Sequence, residues 1–387
     1  MSTTTLPGFE EKTVMKATQI KDYGPIEKVV FVEDNVPIPR LSSLPEKKRN
    51  DYMILKTLAV SLAPGDVRTV SGKTRELQGP PSFPYIPGGD CSGIVVEVSN
   101  DDKKKKSKDD FDAKVGDLVA FRFYDYPRNC MAEYAVVHKN TCEKVPIKSE
   151  KNIDITPVEA AALASACPAI CLADRVKKGE RVLIFGAGGG VGSHLCQLLR
   201  QRGVSFIAGV SENAERLLDK PILCDVAIDY NAEDVWTRKE FLEAPFDVIF
   251  DLASGQWPEI VKHSKKKNSI MKSAKEGGRF LTATSDEPWY ELHSVWAAVK
   301  LFVFAPVFKA IKSRTFARKS LPKYTFAMSL PSNREPVTRA LDNARSGKLN
   351  ACIHGRYDFT TDGVREAFLA QESHHAKGKV IVRIADN

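Results

Sequence analysis

A run of glycines joins a short apolar segment to a helical one near the middle of the chain. Residues 181–185 (RVLIF) have the composition of a buried strand, residues 186–192 (GAGGGVG) are rich in glycine, and residues 194–202 have the composition of a helix. Glycines at such a turn let the backbone approach a ligand without an intervening Cβ and seat the helix close to the strand. The helix N-terminus then presents free N–H groups and a partial positive charge. This pattern requires an α/β unit and predicts an anion site at the turn.

The spacing of the glycines indicates which anion is bound. Gly186, Gly189 and Gly192 form the G-x-x-G-x-x-G variant of the dinucleotide fingerprint, in which a pyrophosphate lies at the helix N-terminus. A glycine-rich turn without a ligand is the alternative, and the repeated strands that follow the turn favour the dinucleotide. The candidate cofactor-binding residues of the turn are Gly186, Gly188, Gly189, Gly190, Val191 and Gly192.

The end of the second strand bears on the choice between NADH and NADPH. An NAD site normally places an acidic residue there to accept from the ribose 2′-OH, whereas here the strand 206–210 is followed by Ser211, with Glu212 next. Ser211 can donate a hydrogen bond to a 2′-phosphate, and Arg216 can neutralise it. The alternative roles are a helix N-cap for Ser211 and a solvated position for Arg216. We predict NADPH.

Apolar runs continue after the turn at the spacing of alternating strands and helices. They cover residues 206–210, 226–230, 246–251 and 279–284, each separated by a segment long enough for a helix. Such alternation predicts a parallel, doubly wound sheet.

The first 150 residues have a different texture. Short alternating runs at 52–60, 93–98 and 117–123 are separated by pairs of proline and glycine, which is typical of strands and turns. Residues 101–110 (DDKKKKSKDD) hold no apolar side chain, and we expect an exposed loop there. The length of 387 residues exceeds what one core usually organises, so two domains are predicted.

Composition argues against several classes of protein. The eight cysteines form no C-x-x-C pair, so we expect reduced, buried side chains and a reducing compartment. Residues 1–16 lack the apolar run of a secretory signal, and the cytoplasm is the expected location. Lys and Arg outnumber Asp and Glu by 57 to 49, a mild excess more typical of a solvated exterior than of a nucleic-acid surface. No nucleic-acid partner is expected.

One apolar segment lies apart from these motifs. Residues 295–311 (VWAAVKLFVFAPVFKAI) are apolar except for Lys300 and Lys309 and are interrupted by Pro306. The uncharged stretch is too short to span a bilayer, which needs ~20 residues. We expect a buried helix or a face that contacts another copy of the chain. The alternative is a weak contact with a membrane surface, supported by the basic residues that follow.

Several further motifs occur in a fixed order along nearly the whole chain. They are Ala-Pro-Gly-Asp-Val at 63–67, PYIPGGDCSG at 84–93, KVGD at 114–117, the glycine turn at 186–192, and HAKGKVIV at 375–382. With these motifs the chain resembles the zinc-free quinone oxidoreductase branch of the medium-chain dehydrogenase/reductase superfamily.

The resemblance implies a fold and an activity. The expected fold class is α/β, with a GroES-like β-rich domain (1–155, joined by the returning segment 325–387) and a Rossmann domain with a doubly wound parallel sheet (156–324). Members of the family use NADPH to reduce a quinone or an activated enone, and often form homodimers. Residue by residue, the resemblance assigns Ser211, Tyr230 and Gly378 to the cofactor and Asp66 to the active cleft.

Two departures from the family pattern affect the chemistry. The family's asparagine is replaced by Ala63, and a tyrosine common two residues after the aspartate is replaced by Arg68, so Asp66 and Arg68 are the candidate catalytic residues. Zinc-binding members have a His-Glu pair where this chain has Gly89 and Asp90. Since zinc needs three protein ligands and an open position, we predict no metal.

Three hypotheses of function remain open at this point. The first is an NADPH-dependent reductase of a small-molecule quinone or enone. The second is a cofactor-bound scaffold with weak catalysis, which Ala63 and Arg68 permit, acting through protein partners or a membrane surface. The third, a nucleic-acid binder, lacks an aromatic and basic reading surface.

Overall fold

The chain forms two compact units in a computed structural model. The first unit contains Met1–Gly72, Gln78–Cys167 and Leu330–Asn387, and the second contains Lys73–Leu77 and Pro168–Ser329. The sequence predicts boundaries near residues 155 and 324, whereas the units divide after Cys167 and Ser329. The predicted loop 101–110 lies outside the described residues. The structure describes residues 2–80, 82–100, 111–123, 129–145, 154–264, 269–287, 290–292, 294–327 and 333–385.

Strands and helices are numbered in chain order. The strands are β1 Ser2–Thr5, β2 Val14–Ile20, β3 Val30–Pro37, β4 Tyr52–Leu62, β5 Asp90–Asn100, β6 Leu118–Phe121, β7 Tyr134–His138, β8 Cys142–Lys144, β9 Arg181–Phe185, β10 Phe206–Ser211, β11 Val226–Asp229, β12 Val248–Asp251, β13 Arg279–Thr282, β14 Lys323–Phe326, β15 Ile353–Asp358 and β16 Lys379–Arg383. The helices are α1 Ile26–Val29, α2 Pro64–Ser71, α3 Arg75–Gln78, α4 Pro157–Ser165, α5 Cys167–Ala173, α6 Gly192–Gln201, α7 Lys239–Glu243, α8 Gln256–His263, α9 Val295–Val299, α10 Ala305–Arg314, α11 Glu335–Arg345 and α12 Thr361–Glu372.

The second unit is built on a six-stranded parallel sheet in the order β11-β10-β9-β12-β13-β14. Counted from β9, this is the order 3-2-1-4-5-6 of a Rossmann sheet. The doubly wound sheet expected from the sequence is therefore confirmed. Its core is rich in aromatic rings, and the ring of Trp257 lies 5.2 Å from Phe280 and 4.7 Å from Tyr324. The edge strand β14 escapes sequence reasoning because it is short and contains Lys323 and Thr325.

The first unit is β-rich, as expected of a GroES-like domain. Its main sheet follows the order β15-β16-β4-β5-β6-β8, with β1 on β5 and β7 on β4, and β2 pairs with β3 separately. Strand β16 is antiparallel to β4, with Val380 opposite Leu62. The C-terminal segment thus returns to the sheet of the first unit.

The alanine-rich stretch at residues 158–169 forms two helices. Helix α4 ends at Ser165 and α5 begins at Cys167, because Pro168 has no N–H to continue the first helix. Ala161 and Ala162 of α4 pack against Ala59 and Ile381 of the main sheet. Small side chains are needed there because they let the helix lie close to the strands.

The segment 295–311 is helical but not buried, so the expectation of a buried helix is wrong. Helices α9 and α10 are joined by a π-helical turn, Lys300–Phe304, and this turn precedes Pro306. Ala298 and Pro306 are buried, whereas Trp296 and Phe308 are exposed. No helix within the described ranges combines the length and the hydropathy that crossing a membrane requires.

Candidate functional site

The glycine turn lies at the carboxyl end of β9, between the ends of β10 and β12. Gly186 has φ +77°, a left-handed conformation that favours glycine. The N–H groups of Gly186 and Ala187 donate to the carbonyl of Val210 at 3.0 and 3.1 Å, which ties the turn to β10. The N–H of Gly189 donates to the carbonyl of Gly186 at 3.1 Å. The turn is therefore held in place by its own backbone before α6 begins.

Two glycines of the turn have different surroundings. A Cβ on Gly192 would overlap the carbonyl oxygen of Gly186 and lie 2.7 Å from the Cα of Ala187, because α6 packs directly on the turn. A Cβ on Gly189 would meet only the carbonyl oxygen of Gly186, at 3.4 Å, which is ordinary van der Waals contact. The space beside Gly189 is therefore open, and a Cβ would extend into it. An open approach to backbone N–H groups at a helix N-terminus fits a pyrophosphate.

Ser211 and Arg216 lie against the same turn. The guanidinium of Arg216 donates through Nη2 to the carbonyl of Gly188 at 2.6 Å. A Cβ built on Gly188 would lie 2.5 Å from Ser211 Oγ and would also collide with the guanidinium of Arg216. A hydroxyl and a cation thus converge on the glycine turn from the end of β10. This pair has the chemistry that a ribose 2′-phosphate requires.

Tyr230 stands at the end of the neighbouring strand. Ser211 of β10 pairs with Asp229 of β11, so Tyr230 follows directly at the same edge of the sheet. Its side chain is 51% exposed. Partial desolvation and the nearby carboxylates of Glu212 and Asp229 raise the pKa of the Tyr230 phenol. The structure therefore brings Tyr230 to the edge that carries the glycine turn.

Asp251, at the end of β12, is a site residue that sequence reasoning missed. Its carboxylate accepts from the N–H groups of Ala253 and Gln256 at 3.2 and 3.0 Å, and so shapes the loop after the strand. That loop borders the turn, because a Cβ on Gly186 would lie 3.4 Å from the Ala253 nitrogen. Burial, with a smaller effect from Asp286, raises the pKa of Asp251 to about 6. The available signal was an acid at the end of an apolar strand.

Asp66 and Arg68 belong to the first unit. Asp66 is 1% exposed, and its carboxylate accepts from the N–H of Ala63 at 2.9 Å. It therefore caps the first turn of α2. Arg68 is half-buried near His374; burial first, and then the charge of Arg68, lower the pKa of that histidine. Arg68 is thus a half-buried cation close to His374, whereas Asp66 holds the backbone.

Gly378 also belongs to the first unit, just before β16. Its φ is +123°, and a Cβ there would lie 2.6 Å from the carbonyl oxygen of Cys352. The glycine is therefore required by the close approach of the chain near residue 352. The role of Gly378 toward the cofactor stays a prediction.

Lys379 follows Gly378 and is buried, a feature that sequence reasoning did not single out. Its Nζ donates to the carbonyl oxygen of Ser165 at 2.6 Å and to the hydroxyl of Ser165 at 3.0 Å. Burial lowers the pKa of Lys379 to about 8, although the charge of Asp90 opposes the shift. A buried ammonium group next to α4 therefore links the C-terminal strand to that helix.

Gly89 and Asp90 stand where zinc-binding members of the family have a His-Glu pair. Asp90 accepts from the N–H of Phe123 at 3.1 Å. The thiols of Cys91 and Cys130 share a hydrogen bond, which together with burial raises the pKa of Cys130 well above its usual range. Among the described residues no three His, Cys, Asp or Glu side chains are grouped to hold a metal ion. The prediction of no metal stays a prediction.

Two family models match the chain in order. The model described as alcohol dehydrogenase GroES-like domain matches residues 49–147, and the model described as zinc-binding dehydrogenase matches residues 224–382. The first match falls on the β-rich unit, and the second covers the later strands of the parallel sheet together with the C-terminal segment.

Similar proteins are oxidoreductases. The NADPH-dependent alkenal/one oxidoreductase, chloroplastic, of Arabidopsis thaliana is 26% identical over 372 residues, covering 95% of this chain and 79% of the relative. The 2-methylene-furan-3-one reductase of Solanum lycopersicum is 28% identical over 376 residues, with the same coverage. The solved structure of the quinone oxidoreductase from Coxiella burnetii matches with a TM-score of 0.69 and 24% identity, covering 96% of this chain and 100% of that chain. At this identity the structural likeness shows the fold.

Proposed function

Because the chain is a member of the medium-chain dehydrogenase/reductase family, we propose that it is an NADPH-dependent oxidoreductase that reduces a quinone, an activated enone or a carbonyl by hydride transfer without zinc. The observation that carries the cofactor assignment is the convergence of Ser211 and Arg216 on Gly188. The names of its relatives, an alkenal/one oxidoreductase and a furanone reductase, support the class of acceptor.

The turn and the residues around it each have a role in this proposal. The N–H groups at the start of α6 bind the pyrophosphate, which approaches over Gly189 where a Cβ is lacking. Ser211 donates a hydrogen bond to the 2′-phosphate and Arg216 neutralises it. Tyr230 packs beside the adenosine. Asp251 holds the loop next to Gly186 and is therefore a positioning residue.

The chemical step requires little from the side chains. When bound, NADPH supplies the hydride, and the protein aligns the acceptor and excludes water. We propose that Arg68 contacts the acceptor oxygen as a cation, with Asp66 holding the first turn of α2 so that Arg68 keeps its position. A proton can then reach the product from solvent. No step of this proposal requires a metal.

Substitution of Arg216 tests the cofactor assignment. We expect Arg216→Gln to weaken NADPH binding roughly 10- to 100-fold, because a charge-assisted hydrogen bond contributes about 1.5–3 kcal/mol. NADH lacks the 2′-phosphate, so its affinity should change far less. The measurement is a titration of intrinsic fluorescence with each nucleotide. Arg314→Gln, an exposed arginine in the same unit, is the matched control.

The result that contradicts the assignment is an equal loss of affinity for both nucleotides in Arg216→Gln, at unchanged melting temperature. An acceptor screen with quinones and enones then tests catalysis. Tight NADPH binding without turnover of any acceptor would favour the scaffold hypothesis, which the substitutions Ala63 and Arg68 permit. Light scattering tests the homodimer that we propose from the family. We also propose a cytoplasmic location, because all eight cysteines are free thiols.

A further inference from the structure

Within the part of the second unit that the structure describes, the helical segment 295–314 packs on its neighbours through one side. Ala298, Pro306 and Ser313 are buried on this side. The ring of Phe302 lies 5.4 Å from Tyr290 and 6.2 Å from Phe326. The helix therefore packs on the unit mostly through small residues, and most of its larger side chains lie on the opposite side.

The opposite side is apolar and open to solvent. Trp296, Phe304, Phe308 and Ile311 follow one another at intervals of eight, four and three residues, which places them on one face of a helix. Trp296 and Phe308 are each 67% exposed, and the rings of Trp296 and Phe304 lie 5.6 Å apart. We call this surface the α9–α10 face, and it comprises the exposed side chains of Val295, Trp296, Val303, Phe304, Val307, Phe308, Ile311 and Phe316.

The charge around the α9–α10 face has one sign. Between residues 294 and 327 the sequence has seven Lys or Arg and no Asp or Glu. The net charge of the whole chain is +8, so this short segment carries a charge almost as large. Lys309 forms an ion pair with Asp286, a residue outside this segment, with 2.5 Å between Nζ and Oδ2. The exposed cations of the segment are Lys300, Lys312, Arg314, Arg318, Lys319 and Lys323.

We propose that the α9–α10 face binds the surface of a membrane that contains anionic lipid. A helix that lies in the membrane interface has Trp, Phe and Leu on one side and Lys or Arg beside them, so that the rings enter the headgroup region while the cations contact phosphate. Lys300 and Lys312 lie four residues after Trp296 and Phe308, where long side chains reach from an apolar face to its polar rim.

Charge argues against the other occupants. A symmetric contact between two copies would place the same patch against itself, and so bring two sets of cations together without an acid in either segment. An acidic protein would match the charge, but a broad apolar face that ends in Phe316, 93% exposed, matches the apolar depth of a bilayer interface more directly.

Vesicle binding of the full chain tests this proposal. The protein is mixed with vesicles of phosphatidylcholine, alone or with phosphatidylserine, and bound protein is measured by flotation. We expect binding to the anionic vesicles that weakens with added salt. A blue shift of tryptophan fluorescence should accompany binding and be reduced in Trp296→Phe, because Trp296 is exposed whereas Trp236 and Trp257 are buried. Trp289→Phe serves as the comparison for the fourth tryptophan of the chain.

Two sets of variants separate the apolar and the charged contributions. Trp296→Ser with Phe304→Ser and Phe308→Ser should weaken binding at least tenfold, with Val14→Ser and Leu369→Ser as exposed apolar controls. Each basic residue near an anionic surface contributes roughly fivefold, so loss of three should cost roughly a hundredfold and reversal of their charge should cost more. The reversed residues are Lys312, Arg314 and Arg318, and the matched controls with the same charge change are Lys28→Glu, Lys47→Glu and Lys48→Glu.

The outcomes that overturn the proposal are distinct. If the wild type fails to bind anionic vesicles, or if the control charge reversals weaken binding as much, the α9–α10 face is not a membrane site. Loss of self-association in the Trp296, Phe304 and Phe308 variant, in a protein that binds no vesicles, would assign the face to a second copy instead. NADPH titration of the same variants separates this proposal from the proposed function, because these side chains lie outside the cofactor site.

Discussion

A single methyl group at Gly189 should separate cofactor binding from folding. The Cβ of Gly189→Ala meets only the carbonyl oxygen of Gly186, at 3.4 Å, and Gly189 is not among the glycines with positive φ. Replacing glycine by alanine without strain stabilises a protein by about 0.4–1 kcal/mol through the unfolded chain. We therefore expect a free energy of unfolding equal to or slightly above that of the wild type.

The same methyl group should weaken the binding of NADPH. It extends into the space through which the pyrophosphate reaches the backbone N–H groups. Loss of hydrogen bonds to a charged group costs about 1.5–3 kcal/mol, so the dissociation constant of NADPH should rise roughly 10- to 100-fold. The loss should be the same for NADH, because both nucleotides share the pyrophosphate.

Two further glycines provide the comparison. Gly192→Ala forces a Cβ onto the carbonyl oxygen of Gly186, so it should lower the free energy of unfolding by about 1–3 kcal/mol or more. Any loss of NADPH affinity in this variant should follow from that destabilisation. Gly116→Ala, with φ +92° and no atom within 4 Å, should cost roughly 1–2 kcal/mol of stability without changing NADPH affinity.

Denaturant unfolding and fluorescence titration of the three variants check these values. Wild-type NADPH affinity in Gly189→Ala would show that the pyrophosphate does not lie at this turn. Destabilisation of Gly189→Ala to the level of Gly192→Ala would show that the space beside Gly189 is not open.

Three other predictions concern buried polar groups and backbone conformation. Lys379 has a folded pKa of about 8 against an ordinary 10.5, so its contribution to stability is present above 10.5 and lost as pH falls through 8. As pH falls from 10.5 to about 8, the free energy of unfolding of Lys379→Met should therefore rise relative to that of the wild type by on the order of 3 kcal/mol. Urea unfolding measures this difference. Asp251 has a raised pKa of about 6, so its contribution is present below 3.8 and lost as pH rises through 6. Between about pH 4 and 6, the free energy of unfolding of Asp251→Asn should rise relative to that of the wild type by on the order of 3 kcal/mol in the same assay. A difference between the two proteins that does not change with pH would contradict the burial of the charge. Gly378→Ala should lower the melting temperature, because its Cβ would lie 2.6 Å from the carbonyl oxygen of Cys352; an unchanged melting temperature would show that this backbone can move.

The candidate site illustrates how far local patterns extend. The glycine turn and the residues Ser211 and Arg216 were predicted from a strand, a spacing and a missing acid, because these signals are contiguous in the sequence. Asp251 and Lys379 were not, since each acquires its altered pKa from burial by segments distant in sequence. Burial of a single polar residue leaves no periodic signal in its own neighbourhood.

The sequence by itself determined the fold class, the parallel sheet, the glycine turn and the family, because alternation of strands and helices and a glycine spacing are local properties of the chain. Only the tertiary structure decided which side of the helices at 295–314 is covered. The composition of that segment suits a buried helix as well as an exposed one, and the outcome depends on how closely Ala298 and Pro306 approach the unit. The same holds for Asp66, whose carboxylate binds the backbone of Ala63 once α2 has formed. Hydrophobicity sets how strongly a side chain avoids water, whereas the surface available to cover it is set by the packing of the whole unit.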